Sequence, residues 1–148
     1  MGRRVALSAC LLGKRCRYDG EENYAPSLLK MLENDELIPF CPEDAAFGSP
    51  RPTMDLIETT DQIEAVCNES GELRSEPIRT YAKEFFDQHG QIDLFIGKDR
   101  SPSCGVCSAR VYDEEKNLLS DGAAGLMAQE AIERSIPAID AEKFEGKR

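Results

Sequence analysis

The sequence predicts an α/β fold in which a mostly parallel sheet is flanked by helices, a Rossmann-like arrangement in one domain over residues 1–148. Two observations support this class. Short apolar runs of strand length alternate with stretches of helical apolar spacing, which is typical of parallel sheets with helical crossovers. The chain has 148 residues, about the size of one domain, and shows neither an internal repeat nor an interdomain linker.

The strand predictions come from short apolar runs bounded by turn residues. They fall at residues 4–9, 37–40, 62–67, 92–97, 109–112, 117–119 and 136–139. Pro39 lacks a backbone N–H, so its strand should lie near a sheet edge. The run at 62–67 alternates like a hairpin arm turned at 68–71, and 109–112 pairs with 117–119 as a second hairpin.

Three helices are predicted from capping residues and apolar spacing. The first begins at Pro26, because proline suits a first helical turn. The second runs from Ser75, a good N-cap, to about His89, which should interact favourably with the helix dipole, and Gly90 ends it. The third, rich in small residues, runs from Asp121 to about Arg134. Residues 41–52 are expected to form a Gly/Pro-rich loop, and the tail at 143–148 is expected to be mobile.

Composition limits the classes of partner. The net charge is −10, from 28 acidic and 18 basic residues, which disfavours non-specific nucleic-acid binding because such binding needs phosphate neutralisation. Lys14, Arg15 and Arg17 form a small basic exception. No apolar run approaches the ~20 residues of a membrane span. Without a secretory signal, we expect a cytoplasmic protein that needs no membrane.

Six cysteines are many for a chain of this size in a reducing compartment, so metal binding or catalysis is favoured over disulfides. Cys10, Cys41 and Cys104 each follow a predicted parallel strand. Carboxyl ends of parallel strands meet at one sheet edge, where ligands bind in open α/β folds. The three thiols should therefore converge.

Thiolates converging in this way could bind zinc or an iron–sulfur cluster. Only Cys104 and Cys107 have C-x₂-C spacing, and no second such pair completes a zinc knuckle. A cluster tolerates dispersed ligands better. A thiol redox site at Cys104 and Cys107 is a further alternative, although the preceding Ser-Pro-Ser does not resemble a thioredoxin-type site.

Five ordered motifs carry a resemblance to a known family. They are SACLLG at 8–13, CRYDG at 16–20, CPE at 41–43, PRP at 50–52 and SPSCG at 101–105. Together they resemble the thiouracil desulfidase family, formerly a domain of unknown function. The similarity extends nearly along the whole chain, to residues 120–122 and 136–137.

The resemblance implies a [4Fe–4S] cluster held by Cys10, Cys41 and Cys104, with one iron open to a thione sulfur. Glu43 matches the family's acid/base carboxylate, and Ser101 matches its substrate-positioning hydroxyl. The implied function is non-redox hydrolysis of a thiolated pyrimidine, such as a 2-thiouracil-like base or nucleoside, to the oxo form with sulfide release. The alternative is a non-catalytic iron–sulfur or metal-binding module that carries sulfur or iron.

Several roles stay open from the residues alone. Cys16 could be a fourth ligand, a substrate-side thiol or a buried loop residue. The loop is expected to carry it away from the strand edge, with Arg15 and Arg17 lowering its pKa if they lie close. Tyr18, Arg51 and Ser103 are substrate-side candidates, and Arg51 could instead fix its loop.

Two cysteines are given structural roles. Cys67 lies in an alternating run and is predicted to be a buried core residue. Cys107 is likewise expected to be structural.

Overall fold

The computed structural model describes residues 2–60 and 62–144. The strands are β1 Arg4–Ser8, β2 Glu36–Phe40, β3 Met54–Glu58, β4 Ile63–Cys67, β5 Leu94–Gly97, β6 Ala109–Tyr112, β7 Leu118–Ala123 and β8 Ala138–Asp140. The α-helices are α1 Pro26–Met31, α2 Pro42–Phe47, α3 Ser75–His89 and α4 Leu126–Glu133, and 3₁₀ turns occupy Ala9–Leu12 and Ala141–Lys143.

The first sheet has the strand order β2-β1-β5-β8, with all neighbours parallel. This confirms the predicted fold class and the edge position of the strand that contains Pro39. From β1 the chain moves outward to β2, then crosses to β5 on the other side of β1 and continues outward to β8. The strand order therefore reverses between β1 and β5, the kind of switch point where open α/β sheets bind ligands.

Helices cover both faces of this sheet because successive strand residues point to opposite sides. Val5 and Leu7 pack with Leu28 of α1. Ala6 and Phe95 face the other way and pack with buried residues of α3 and α4. The first sheet is thus buried on both sides, as its continuous apolar strands predict.

A second sheet, with the order β4-β3-β6-β7, was not predicted. Its central pair β3–β6 is parallel, and the two outer pairs are antiparallel. The predicted hairpin arm at 62–67 is confirmed, but its main partner is the preceding strand β3. The turn at 68–71 leads only to one bridge between Val66 and Leu73. Ile78 of α3 and Leu126 of α4 enter the core of this sheet, so both helices bind both sheets.

Three boundary predictions were wrong for local reasons. The expected loop at 41–52 contains α2, which begins at Pro42 and ends before Gly48. Asp121 begins no helix, because residues 118–123 pair with β6 and α4 starts only at Leu126. Ser75 is the first residue of α3 and caps nothing, since its Oγ instead accepts a hydrogen bond from the Ala65 main-chain N–H at 2.8 Å.

The chain terminus is only partly described. Residues 145–148 of the predicted mobile tail lie outside the described part of the chain. Phe144 does not fit that prediction, because it is buried in the core on the α1 side of the first sheet. Among the described residues, we find no helix with the length and apolarity required to cross a bilayer.

Candidate functional site

A cavity of about 260 Å³ opens at the carboxyl edge of the first sheet. Every residue that the sequence singled out for the site lines it. These residues are Cys10, Cys16, Tyr18, Cys41, Glu43, Arg51, Ser101, Ser103 and Cys104. The strand-end rule therefore located the cavity correctly, although lining a cavity does not by itself assign a chemical role.

Three strand ends deliver the three expected cysteines. Cys10 lies in the 3₁₀ turn after β1, Cys41 directly follows β2, and Cys104 lies in the loop after β5. That loop passes very close to the end of β5 at Gly97, where a Cβ atom would lie 1.7 Å from the Cys104 carbonyl oxygen. Only glycine therefore permits this path for the loop.

The start of α4 holds the same loop from the other side. The Leu126 and Met127 main-chain N–H groups donate to the carbonyl oxygens of Pro102 and Ser103 at 3.0 and 2.8 Å. These N–H groups have no partner within the helix, so the loop satisfies them. Gly125 allows the contact, since a Cβ there would meet the Ser103 carbonyl carbon at 2.5 Å.

Asp140, at the end of β8, is a buried anchor for the loop and was missed by the sequence analysis. Its carboxylate accepts hydrogen bonds from the main-chain N–H groups of Val106 and Cys107 at 2.8 and 3.0 Å, and from Ser108 Oγ at 2.8 Å. Burial alone would raise its pKa, but these donors outweigh burial and lower the pKa. The sequence feature that could have identified Asp140 is its position directly after the predicted strand 136–139.

Cys16 lies beside Cys10 and Cys41, which corrects the expectation that its loop carries it away. It is 1% exposed. Its thiol is hydrogen-bonded to both neighbours, which raises its own pKa and lowers theirs, that of Cys10 to about 6. The expected lowering of the Cys16 pKa by Arg15 and Arg17 is therefore wrong. The hydrogen bonds from Cys16 thus favour the ionised forms of Cys10 and Cys41.

The fourth cavity cysteine has different surroundings. Burial raises the pKa of the Cys104 thiol to about 12.

Two polar residues contact the other cysteines. Asn23, another residue that the sequence analysis missed, donates from Nδ2 to Cys10 Sγ at 3.5 Å. The hydroxyl of Tyr81, a residue of α3 that the sequence analysis did not assign to the site, accepts the Cys41 main-chain N–H at 3.2 Å.

Glu43 lies in the first turn of α2 and is held by two groups. Ser103 Oγ donates to its Oε2 at 2.6 Å, and Arg51 Nε forms an ion pair with its Oε1 at 3.5 Å. Arg51 also donates from Nη1 to Gly48 O and Ser49 Oγ, so it fixes its loop as well as lining the cavity. Its Nε is buried and makes no hydrogen bond to any described residue.

The two serines have a defined hydrogen-bond direction. The Ser103 hydroxyl proton is used on Glu43, so in the 3.2 Å contact between the two hydroxyls Ser101 must be the donor. Ser101 Oγ in turn accepts the main-chain N–H groups of Ser103 and Cys104 at 3.2 and 3.0 Å. The result is a hydrogen-bonded chain from Ser101 through Ser103 to Glu43.

Tyr18 lies at the cavity wall, whereas Cys67 and Cys107 do not line the cavity. Tyr18 is half exposed at the cavity wall, and its carbonyl oxygen accepts the Arg51 main-chain N–H at 2.6 Å. Cys67 is buried in β4, as predicted, and does not line the cavity. Cys107 is exposed and does not line the cavity, which separates its thiol from that of Cys104.

The cavity differs from a site for one metal ion. In residues 2–60 and 62–144, no three His, Cys, Asp or Glu side chains are grouped closely enough to hold a single ion. A mononuclear zinc site needs each sulfur about 2.3 Å from one centre. An iron–sulfur cluster makes a different demand, because each thiolate binds its own iron atom.

The fold and the site define an α/β protein with a cysteine-lined cavity at the edge of a parallel sheet. The family model described as 2-thiouracil desulfurase matches residues 5–143, so the chain belongs to that family.

The chain is also similar to two individual proteins. The chain is 26% identical to the Bacillus subtilis (strain 168) protein described as uncharacterized protein YbbK, over 89% of this chain and 93% of that protein. It is also similar to the solved structure of the [4Fe-4S]-dependent thiouracil desulfidase TudS. That match has a TM-score of 0.73 and 24% identity, and covers 96% of this chain and 93% of the other.

Proposed function

We propose that this chain, as a single domain over residues 1–148, is an iron–sulfur-dependent desulfidase that replaces the sulfur of a small thiolated pyrimidine with oxygen. One observation carries the proposal. Thiols from three parallel strand ends line the same cavity as a hydrogen-bonded chain that ends on a carboxylate. The family and the description of TudS support the cluster and the substrate class.

The residues present fit a [4Fe–4S] cluster held by Cys10, Cys41 and Cys104. All three are soft thiol donors without disulfide partners, and the pKa values of Cys10 and Cys41 are lowered. The raised pKa of Cys104 is compatible, since a coordinating thiol is deprotonated by the metal. When bound, the cluster supplies a soft Lewis acid for the substrate sulfur.

The chain's own residues handle protons and orientation. Glu43 accepts a proton from the attacking water, and Arg51 together with Ser103 holds the carboxylate in place. Before substrate binds, the Ser101 hydroxyl donates to Ser103 Oγ, and rotation about its Cβ–Oγ bond turns this proton to the bound substrate. In the overall reaction a carbon–sulfur bond breaks, a carbon–oxygen bond to water forms, and the sulfur leaves as hydrosulfide, so no electron donor is needed.

The competing function is a non-catalytic cluster or metal carrier. Such a carrier would need the thiols but would have no use for the chain from Ser101 through Ser103 to Glu43. Turnover therefore separates the two functions, and cluster content does not.

The test begins with anaerobic reconstitution. We expect about four irons and four sulfides per chain and conversion of 2-thiouracil to uracil with stoichiometric sulfide. Replacing Cys10, Cys41 or Cys104 singly with Ala should remove most of the iron. A protein that binds one zinc and no iron would refute the cluster, and full iron content in one variant would remove that cysteine from the ligand set.

The acid/base role has its own test. Glu43→Gln should keep the cluster absorbance and lower turnover by roughly 10²–10⁴-fold. Asp44→Asn is the matched control, since Asp44 is the next residue of α2 and does not line the cavity. Equal turnover in the two variants would remove Glu43 from the chemistry.

A further inference from the structure

Lys98 directly follows a central strand of the first sheet, and the functions proposed above give its side chain no role. It directly follows β5, and Cys10 follows β1, so the two residues flank the point where the strand order reverses. The Lys98 main-chain N–H donates to Ser8 Oγ at 3.0 Å, which ties the ends of the two strands together. Lys98 therefore lies at the place where this type of sheet binds its ligand, and it lines the cavity.

Lys98 is the basic residue of the described cavity wall that forms no ion pair, and its charge acts only at longer range on the Glu142 carboxylate, which pairs with Arg100. The other basic residues of the wall form ion pairs, Arg17 with Asp19, Arg51 with Glu43 and Arg100 with Glu142. Lys98 is half-buried, and its Nζ donates to the Asp99 carbonyl oxygen at 3.1 Å. Within the described part of the chain it has no ion-pair partner, although a partly buried ammonium gains from an anion beside it.

The neighbours of Lys98 indicate which anion fits. The Lys98 main chain is tied to Ser8, two residues before Cys10, and Lys98 and Cys10 line the same cavity, so Lys98 lies on the cysteine side of that cavity. At the opposite wall the charge of Glu43 is balanced by Arg51. An anion bound at Lys98 is therefore beside the thiols, where the substrate sulfur belongs.

We propose that Lys98 binds the anionic sulfur group, namely the thiolate form of the substrate and the hydrosulfide product. This inference rests on the proposed function and adds the charge state of the bound ligand. Lys98 favours the ionised thiopyrimidine over its neutral form and stabilises the negative charge that collects on sulfur as the carbon–sulfur bond breaks.

Binding of two soft probes tests this without turnover. Hydrosulfide is anionic and an alkyl isocyanide is neutral, and both are titrated against the anaerobically reconstituted protein by cluster absorption. Lys98→Met and Lys98→Gln should weaken hydrosulfide binding about 10- to 100-fold, the usual range for a lost charge-assisted contact. Isocyanide binding should change less than about threefold. Lys98→Arg should recover most of the hydrosulfide affinity, since it restores the charge.

Lys83→Met is the matched control, because Lys83 is an exposed lysine of α3 outside the cavity and its loss changes the net charge equally. Equal weakening of both probes in the neutral Lys98 variants would overturn the inference, as would an equal effect of Lys83→Met. A different result would refute the proposed function. If wild-type protein holds a cluster but does not convert 2-thiouracil, the proposed function is wrong, whether or not the hydrosulfide affinity depends on Lys98.

Discussion

Replacing Asp140 with Asn tests whether one buried carboxylate holds the cysteine loop in place. The carboxylate receives Val106 N–H and Ser108 Oγ on Oδ1, and Cys107 N–H on Oδ2. An asparagine offers one oxygen and turns an NH₂ group toward the remaining donors. At least one of the two main-chain N–H groups then loses its acceptor, and the other bonds lose their charge.

The expected loss of unfolding free energy follows from these contacts. Leaving a buried donor unsatisfied costs about 1–3 kcal/mol, and hydrogen bonds to charged groups contribute about 1.5–3 kcal/mol each. Because the bonds share one group, we do not add them and expect Asp140→Asn to cost about 2–4 kcal/mol. The assay is urea unfolding of the reduced, cluster-free protein, with amide hydrogen exchange at Val106 and Cys107 as the local measurement.

Asp113→Asn is the matched control. Asp113 also accepts two main-chain N–H groups, from Glu115 and Asn117, but on the exposed hairpin turn. There water replaces lost bonds, so the cost should stay below about 1 kcal/mol. Equal costs for the two variants, or unchanged exchange at Val106 in Asp140→Asn, would refute the reasoning.

The pH dependence gives a second check on Asp140. Its pKa is lower in the folded protein than the ordinary value of about 3.9. A lowered folded pKa means that the contribution to stability is present above the unfolded pKa and is lost as pH falls through the folded one. The difference between wild type and Asp140→Asn should therefore be constant near neutrality and shrink below about pH 4. A gap that stays constant down to pH 2 would contradict the ionic role.

Four further substitutions probe the packing in and around the site. Gly97→Ala places a Cβ against the Cys104 carbonyl and should cost about 1–3 kcal/mol and lower the iron content, measured by urea unfolding and iron assay. Gly122→Ala, where the nearest atom would lie 3.6 Å away, should cost less. Cys67→Ala should cost on the order of 1 kcal/mol and keep the iron. Cys16→Ser should also keep iron and sulfide, and loss of both would instead mean four cysteine ligands.

Local sequence patterns predicted much of the fold, because the parallel sheet is buried on both faces. A buried strand must be apolar along its length, so β1, β2 and β5 stand out in the sequence. Once those strands are parallel, their carboxyl ends must share an edge. The cavity position and its lining by the predicted cysteines follow from that geometry alone.

Local sequence patterns predicted neither the second sheet nor the start of α4. Residues 118–123 include Asp121 and Gly122, which are unfavourable inside strands, yet the segment pairs with β6, with Ala109 opposite Ala123. The packing of α3 and α4 against both sheets likewise depends on side chains that meet only in the folded chain. Tertiary context overrides local propensity at such positions.

The sequence by itself determined the α/β class, the family and nine of the residues that line the cavity. Only the tertiary structure decided how those residues are connected. Asp140 reaches Val106 across 34 positions, Ser103 reaches Glu43 across 60, and Lys98 binds Ser8 across 90. Hydrogen bonds over such separations leave no periodic pattern in the chain, because each depends on the paths of two distant segments, and they form only when the sheet brings those segments together.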